Sequence, residues 1–397
     1  WSPVQIMNTS INKQFDGKFS VENRYDYLNL NTCRFLWKQV KFPLATDASN
    51  AAIQVLKEGE VQGSDVVAHS AGILDIKTNI LPNADALFLT AIDPYGHELW
   101  RWTFPVNQLN QQTEQLSPLS SRPAYTETEN ELTVKANKRT FIFSKKDGQL
   151  KGVSVDNRKI SFANGPRFIG ARRADRSLDQ FYNHDDEKAK EKDRTYSEFP
   201  DAAVFTKLDV KEDGGNLVVT ANYKLGNLDK TQWELALDYT YNFSGVVDLM
   251  GIRFDYPEDQ VISKRWLGAG PYRVWQNRIH GTQYDVWEND YNDPIPGETF
   301  TYPEFKGYFG DVSWMNIQTK EGTISLKNET PDAYIGVYQP RDGRDRLLYT
   351  LPESGISVLN VIPPVRNKVN STDLCGPSSQ PKWVNGPQTG RVIFRFM

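Results

Sequence analysis

Short runs of alternating apolar and polar residues, each closed by Gly, Pro, Asn or Asp, recur along this chain, and no helical repeat of comparable length competes with them. A period of two places successive side chains on opposite faces of a sheet, so the pattern predicts an almost wholly β protein. Residues 18–25 and 33–40 read as strands joined by turn chemistry at Asn29-Leu30-Asn31-Thr32. Further strands are predicted over 70–78, 86–93 and 98–106. Brief strands at this spacing indicate an immunoglobulin-like sandwich.

Between 107 and 124 the composition shifts to Gln, Asn, Ser, Thr and Pro, which cannot bury enough surface to form an element, and a linker is expected there. Beyond it, 131–144 and 149–155 flank Lys146-Asp147-Gly148 as a predicted hairpin. Strands are expected again over 216–223, 233–243, 245–254, 322–327 and 391–396. Residues 171–200 are highly charged and read as a solvated loop or short surface helix. At 397 residues the chain suits two units, taken as 1–118 and 125–397.

Composition removes several classes of function. The 46 basic and 50 acidic residues are interspersed and give a net charge of −4, so nucleic acid is not an expected partner. No long uncharged apolar run predicts a membrane span. Cys33 and Cys375 form no CxxC, and His69, His97, His184 and His280 are dispersed without metal or triad spacing. The chain opens Trp1-Ser2-Pro3-Val4 and reads as a piece of something longer. Aromatic residues, at 12%, suit strand packing and also stacking on pyranose rings.

The most specific segment is Trp266-Leu267-Gly268-Ala269-Gly270-Pro271-Tyr272-Arg273-Val274-Trp275-Gln276-Asn277-Arg278. Its glycines are expected to permit backbone dihedrals closed to other residues, with Pro271 fixing the exit, so that the aromatics stand on one rigid turn. The segment resembles the WLGxGPxExYxDR motif in the C-terminal domain of glycoside hydrolase family 2 β-galactosidases. Residues 302–307 and Asp311-Val312-Ser313-Trp314 resemble that family's next turn and strand. In the first unit, residues 19–27 and Gly96-His97-Glu98 are similar to the immunoglobulin-like domain that precedes it.

The resemblance implies an immunoglobulin-like β-sandwich followed by a large supersandwich of the galactose mutarotase kind, with the catalytic barrel on the missing part of the same polypeptide. Retaining cleavage needs two carboxylates about 5–5.5 Å apart, both from that barrel. Neither Asn130-Glu131 nor Asn328-Glu329 has the flanking residues of the family's acid/base motif, so no catalytic residue is assigned. Two departures stand out. Arg172-Arg173-Ala174-Asp175-Arg176 replaces an R-x-P-x-D-N-D stretch, and Asp373-Leu374-Cys375-Gly376 puts a cysteine where the family carries a pocket tryptophan, with Trp383 as the candidate substitute.

The expected partner is carbohydrate, with Tyr272, Arg273, Trp275, Arg278, Asp285, Trp287 and Trp383 as candidate contacts, because pockets combine a few polar groups with apolar walls. Packing is the competing role for each of these aromatics. Glu288, Asp290 and Asp293 concentrate oxygen ligands for a bound Ca or Na ion, although Asp, Asn and Pro are equally loop residues; no other cofactor is expected. Self-association is left open. Two further functions compete with that of an accessory region: an independent carbohydrate-binding module, and a mutarotase using His184 or His280 for proton transfer.

Overall fold

A computed structural model describes the chain except residues 1, 46, 48–49, 107–123, 137, 174–195, 199–204, 214–215, 224–226, 231–233, 292–306, 339–351 and 365–375; side chains at 136, 173, 196–198 and in the strands between 205 and 234 are also outside the description. The expected linker, most of the charged run with His184, residues 302–306, Asp293 and Cys375 therefore lie outside the described residues. The chain divides into one unit of Trp1–Thr113 with Gln283–Val286, and another of Glu114–Thr282 with Trp287–Met397.

The first unit is built from two antiparallel sheets. One runs Val4–Ile6, Lys18–Asn23, Ala71–Asp75; the other runs Gln54–Gln62, Arg34–Lys41, Ala86–Ile92, Glu98–Pro105. Alternation fixes the core face: Phe35, Trp37 and Gln39 point inward from one strand, and Phe19 and Val21 from the opposite sheet. Phe19 packs against Phe104 at 4.9 Å, and Cys33 is buried as a free thiol. Gly96, at φ +91°, closes the turn in which the backbone N–H groups of Tyr95 and His97 donate to Asp93.

The second unit is a larger sandwich. A nine-stranded sheet runs Phe205–Asp213, Asn216–Tyr223, Asn227–Lys230, Glu234–Val247, Lys382–Phe396, Gly322–Asn328, Trp314–Thr319, Val261–Gly270, Gln283–Asp290. The facing sheet runs Tyr334–Gly336, Ile356–Val361, Leu249–Asp255, Ala163–Arg173, Leu150–Val155, Arg139–Ser144, Glu131–Ala136, Ala124–Glu127, with Arg158–Ile160 and Tyr196–Glu198 paired alongside. Their inner faces share one core in which Phe162 meets Phe254, Phe394 and Phe396 within 5.2 Å. The protein is thus all-β. Among the described residues no helix is long and apolar enough to cross a membrane.

Three strand boundaries differ from expectation. The 131–144 run is two strands, paired so that Arg139 faces Ala136. Glu234–Val247 runs through Ser244-Gly245 and stops at buried Asp248, because the long strand Lys382–Phe396 pairs with it along its whole length. Glu288 and Asp290 close a strand, Gln283–Asp290, where a loop was expected.

Candidate functional site

The family-like segment starts in a strand. In Val261–Gly270, Trp266 is wholly buried, donates from Nε1 to the Ala269 carbonyl (3.0 Å) and meets Phe309 edge-on at 5.0 Å. Neither Gly268 nor Gly270 has a positive φ, so the expected dihedral role is corrected: close approach excludes side chains there. A Cβ on Gly268 would lie 3.0 Å from the Gly310 carbonyl and from the Val312 Cα. One on Gly270 would strike the Trp287 indole at 2.4 Å.

After the cis Gly270-Pro271 bond the chain bends. Val274 and Tyr308 exchange both backbone hydrogen bonds (2.7 and 2.9 Å), and Trp275 and Arg278 close a tight turn. Gln276 Nε2 donates to the Gln380 carbonyl (2.7 Å) and Asn277 Nδ2 to Ser379 Oγ (3.2 Å). Trp275 is 1% exposed, packed with Ile169, Leu249, Leu359 and Ile362, and edge-on to Tyr308 at 5.6 Å. A side chain on Gly307 would meet the Val274 carbonyl at 2.4 Å and the Trp275 indole at 2.9 Å.

Cations and aromatics cluster beside the bend. Buried Tyr338 has Lys264 Nζ at 5.5 Å and the Arg273 guanidinium at 5.1 Å from its ring centre. Lys264 is 2% exposed and donates to the Asp290 carbonyl. Tyr291 packs edge-on against Tyr338 (5.4 Å) and donates to Glu258 (2.8 Å). Burial, then the Glu258 carboxylate, pushes the Tyr291 hydroxyl above the usual phenol range, while Arg273 pulls it down. The cluster's donors are committed within the protein, Lys264 to Asp290 and Tyr291 to Glu258.

The sequence-predicted residues separate on this geometry. Tyr272 is half exposed at the bend, Arg273 borders the cluster and Arg278 is exposed. Trp275 is corrected to a core residue, since its ring is covered by its neighbours. Asp285 is corrected too: only 7% exposed, it belongs to the first unit, pairs with Arg101 (2.5 Å) and accepts the Val286 N–H (2.7 Å). Trp287 is partly buried against the core, and Trp383 stands 69% exposed on Lys382–Phe396. Glu288 lies 3.7 Å from Arg265, and no group of three His, Cys, Asp or Glu that could hold a metal ion occurs among the described residues. His280 is exposed. Sequence reasoning missed Lys264, Glu258 and Tyr338: the first reads as an ordinary strand charge, and Tyr338 lies far along the chain without a local motif.

Several other acidic groups have structural partners. Glu321 accepts from Ser161 Oγ (2.6 Å), Asp255 pairs with Arg167, and Arg391 bridges Asp238 (2.6 Å) and Glu329 (3.2 Å).

No curated protein matches the chain. The crystal structure of Aspergillus nidulans amine oxidase aligns with all of this chain and 68% of its own, at 9% identity and a TM-score of 0.24, too low to bear on fold or function. The family model for the β-galactosidase small chain matches residues 135–363, which takes in the Trp266 strand, the bend and the Tyr338 cluster. With more than half of its length matched, the chain belongs to the β-galactosidase small chain family.

Proposed function

We propose that this chain is the accessory C-terminal region of a β-galactosidase-like family 2 glycoside hydrolase, supporting the enzyme and shaping the rim of its sugar pocket while a barrel on the same polypeptide cleaves the bond. One observation carries the reading: Trp266 and Trp275 are locked into the core, and the bend they hold offers outward Tyr272 and Arg278. A phenol and a guanidinium group recognise hydroxyls; they do not supply the acid/base and nucleophile of a retaining glycosidase. Glu258 accepts from Tyr291 and Glu288 lies beside Arg265, while burial and then neighbouring Asp332 raise the Asp311 carboxyl next to Gly310.

Incubating the purified chain alone with aryl β-galactosides tests the reading. Release of the aryl group at the buffer rate is expected, and turnover by the chain itself would overturn it. A second reading, that of a carbohydrate-binding module, is favoured by exposed Trp383.

A further inference from the structure

Among the described residues, Glu234–Val247 and Lys382–Phe396 continue beyond their pairing with sheet neighbours as a two-stranded ribbon, in register from Tyr239 opposite Gly390 to Val247 opposite Lys382. The inner face is committed to the core: Tyr241 and Phe243 pack on Phe168 at 5.3 and 5.7 Å, and Val384 packs beside them. Alternation then puts Thr240, Asn242, Ser244 and Val246 on the outer face, opposite Thr389, Pro387, Asn385 and Trp383. All but Val246 are exposed, and Trp383 is 69% exposed.

The chemistry of that face is unusual for this chain. Charged residues make up 24% of the sequence, yet none occurs in 239–247 or 383–390. What remains is one flat indole followed along the strand by amides and hydroxyls, about 7 Å between alternate residues. Ser244 Oγ donates to Asn385 Oδ1 (2.8 Å), which orients the Asn385 amide and leaves its N–H groups as donors to a ligand. A protein partner needs a buried apolar centre over roughly 1,000 Å² or more, which a single indole among polar groups does not supply. An anionic surface needs cations, and the outward positions from Thr240 to Val246 and from Trp383 to Thr389 carry none; Arg391, next on that face, is paired with Asp238 and Glu329. Indole stacking on the apolar face of a pyranose, with amide and hydroxyl groups meeting its equatorial hydroxyls, matches the chemistry of Trp383, Asn385, Ser244 and Asn242.

We propose that the outer face of this ribbon is a binding site for an uncharged glycan chain, with Trp383 as the stacking platform and Asn385, Ser244 and Asn242 as hydroxyl partners. It deepens the carbohydrate-associated reading of the chain, starts shortly after Gln380, to which the bend residue Gln276 donates, and requires no catalysis.

The test is retention of the whole chain on an array of neutral and acidic oligosaccharides, followed by calorimetric titration with the best neutral ligand. Binding to neutral glycans is expected, at least tenfold weaker in Trp383→Ala, several-fold weaker in Asn385→Ala, and largely kept in Trp383→Tyr. Melting temperatures establish that the variants fold, as the exposure of both residues predicts. Failure of the folded chain to retain any neutral glycan would overturn the site, as would Trp383→Ala binding like wild type or capture of acidic glycans only. None of these outcomes depends on aryl galactoside turnover, so the site and the accessory reading can fail separately.

Discussion

Single residues divide the family-like segment into what holds and what faces outward. Trp275 is surrounded by Ile169, Leu249, Leu359, Ile362 and Tyr308, so its truncation leaves a cavity as well as losing buried area. Trp275→Ala should cost about 3–5 kcal/mol, read from the urea midpoint. Tyr272→Ala, at a half-exposed position, should stay within about 0.5 kcal/mol. Equal effects would contradict the assignment of one ring to the core and the other to the surface. Asp285 teaches the same lesson: its residue type suits hydroxyl recognition, but Arg101 occupies its carboxylate.

At the scale of elements, much of the fold was legible and the site was less so. Strands such as 86–93 and 216–223 appear nearly where runs of β-forming residues bounded by Gly, Asn, Asp or Pro put them. The misplaced ends share a cause, which is pairing with a distant partner. The ladder with Lys382–Phe396 carries Glu234–Val247 through Gly245, and pairing with Met315 and Trp314 draws Trp266 and Leu267 into a strand although Gly-Ala-Gly-Pro follows. The glycines of the motif, expected to permit unusual dihedrals, instead make room for close packing. Their space is taken by Trp287, Val312 and Gly310, and no local rule reveals which distant residue will press against a glycine. The Tyr338 cluster was invisible for that reason also, since Lys264, Arg273, Tyr291 and Tyr338 meet only once the strands are assembled.

For the whole molecule, the large aromatic core makes stability depend on pH at the alkaline end. Burial pushes the Tyr239 and Tyr256 hydroxyls up to about 12, and raises Tyr241 and Tyr308 as well. A folded pKa above the unfolded value of about 10 means that the native state holds its proton more tightly. The corresponding stability is complete below about pH 10 and is lost as pH rises toward the folded values. Denaturant midpoints should therefore fall between pH 10 and 12, with the buried phenolate absorbance appearing only as near-ultraviolet dichroism disappears. Ionisation of all tyrosines near pH 10 with the fold intact would contradict this core.

The same molecule-wide view bears on chemistry. A retaining glycosidase must bond its own carboxylate to the sugar, and an activated 2-fluoro-galactoside arrests the enzyme at that stage. Intact-mass measurement after incubating this chain with such a reagent is the most direct trial of a scaffold that recognises sugar without cleaving it. We predict an unchanged mass; the stoichiometric gain of one fluorogalactosyl group, removed by substituting a single acidic residue, would contradict the account.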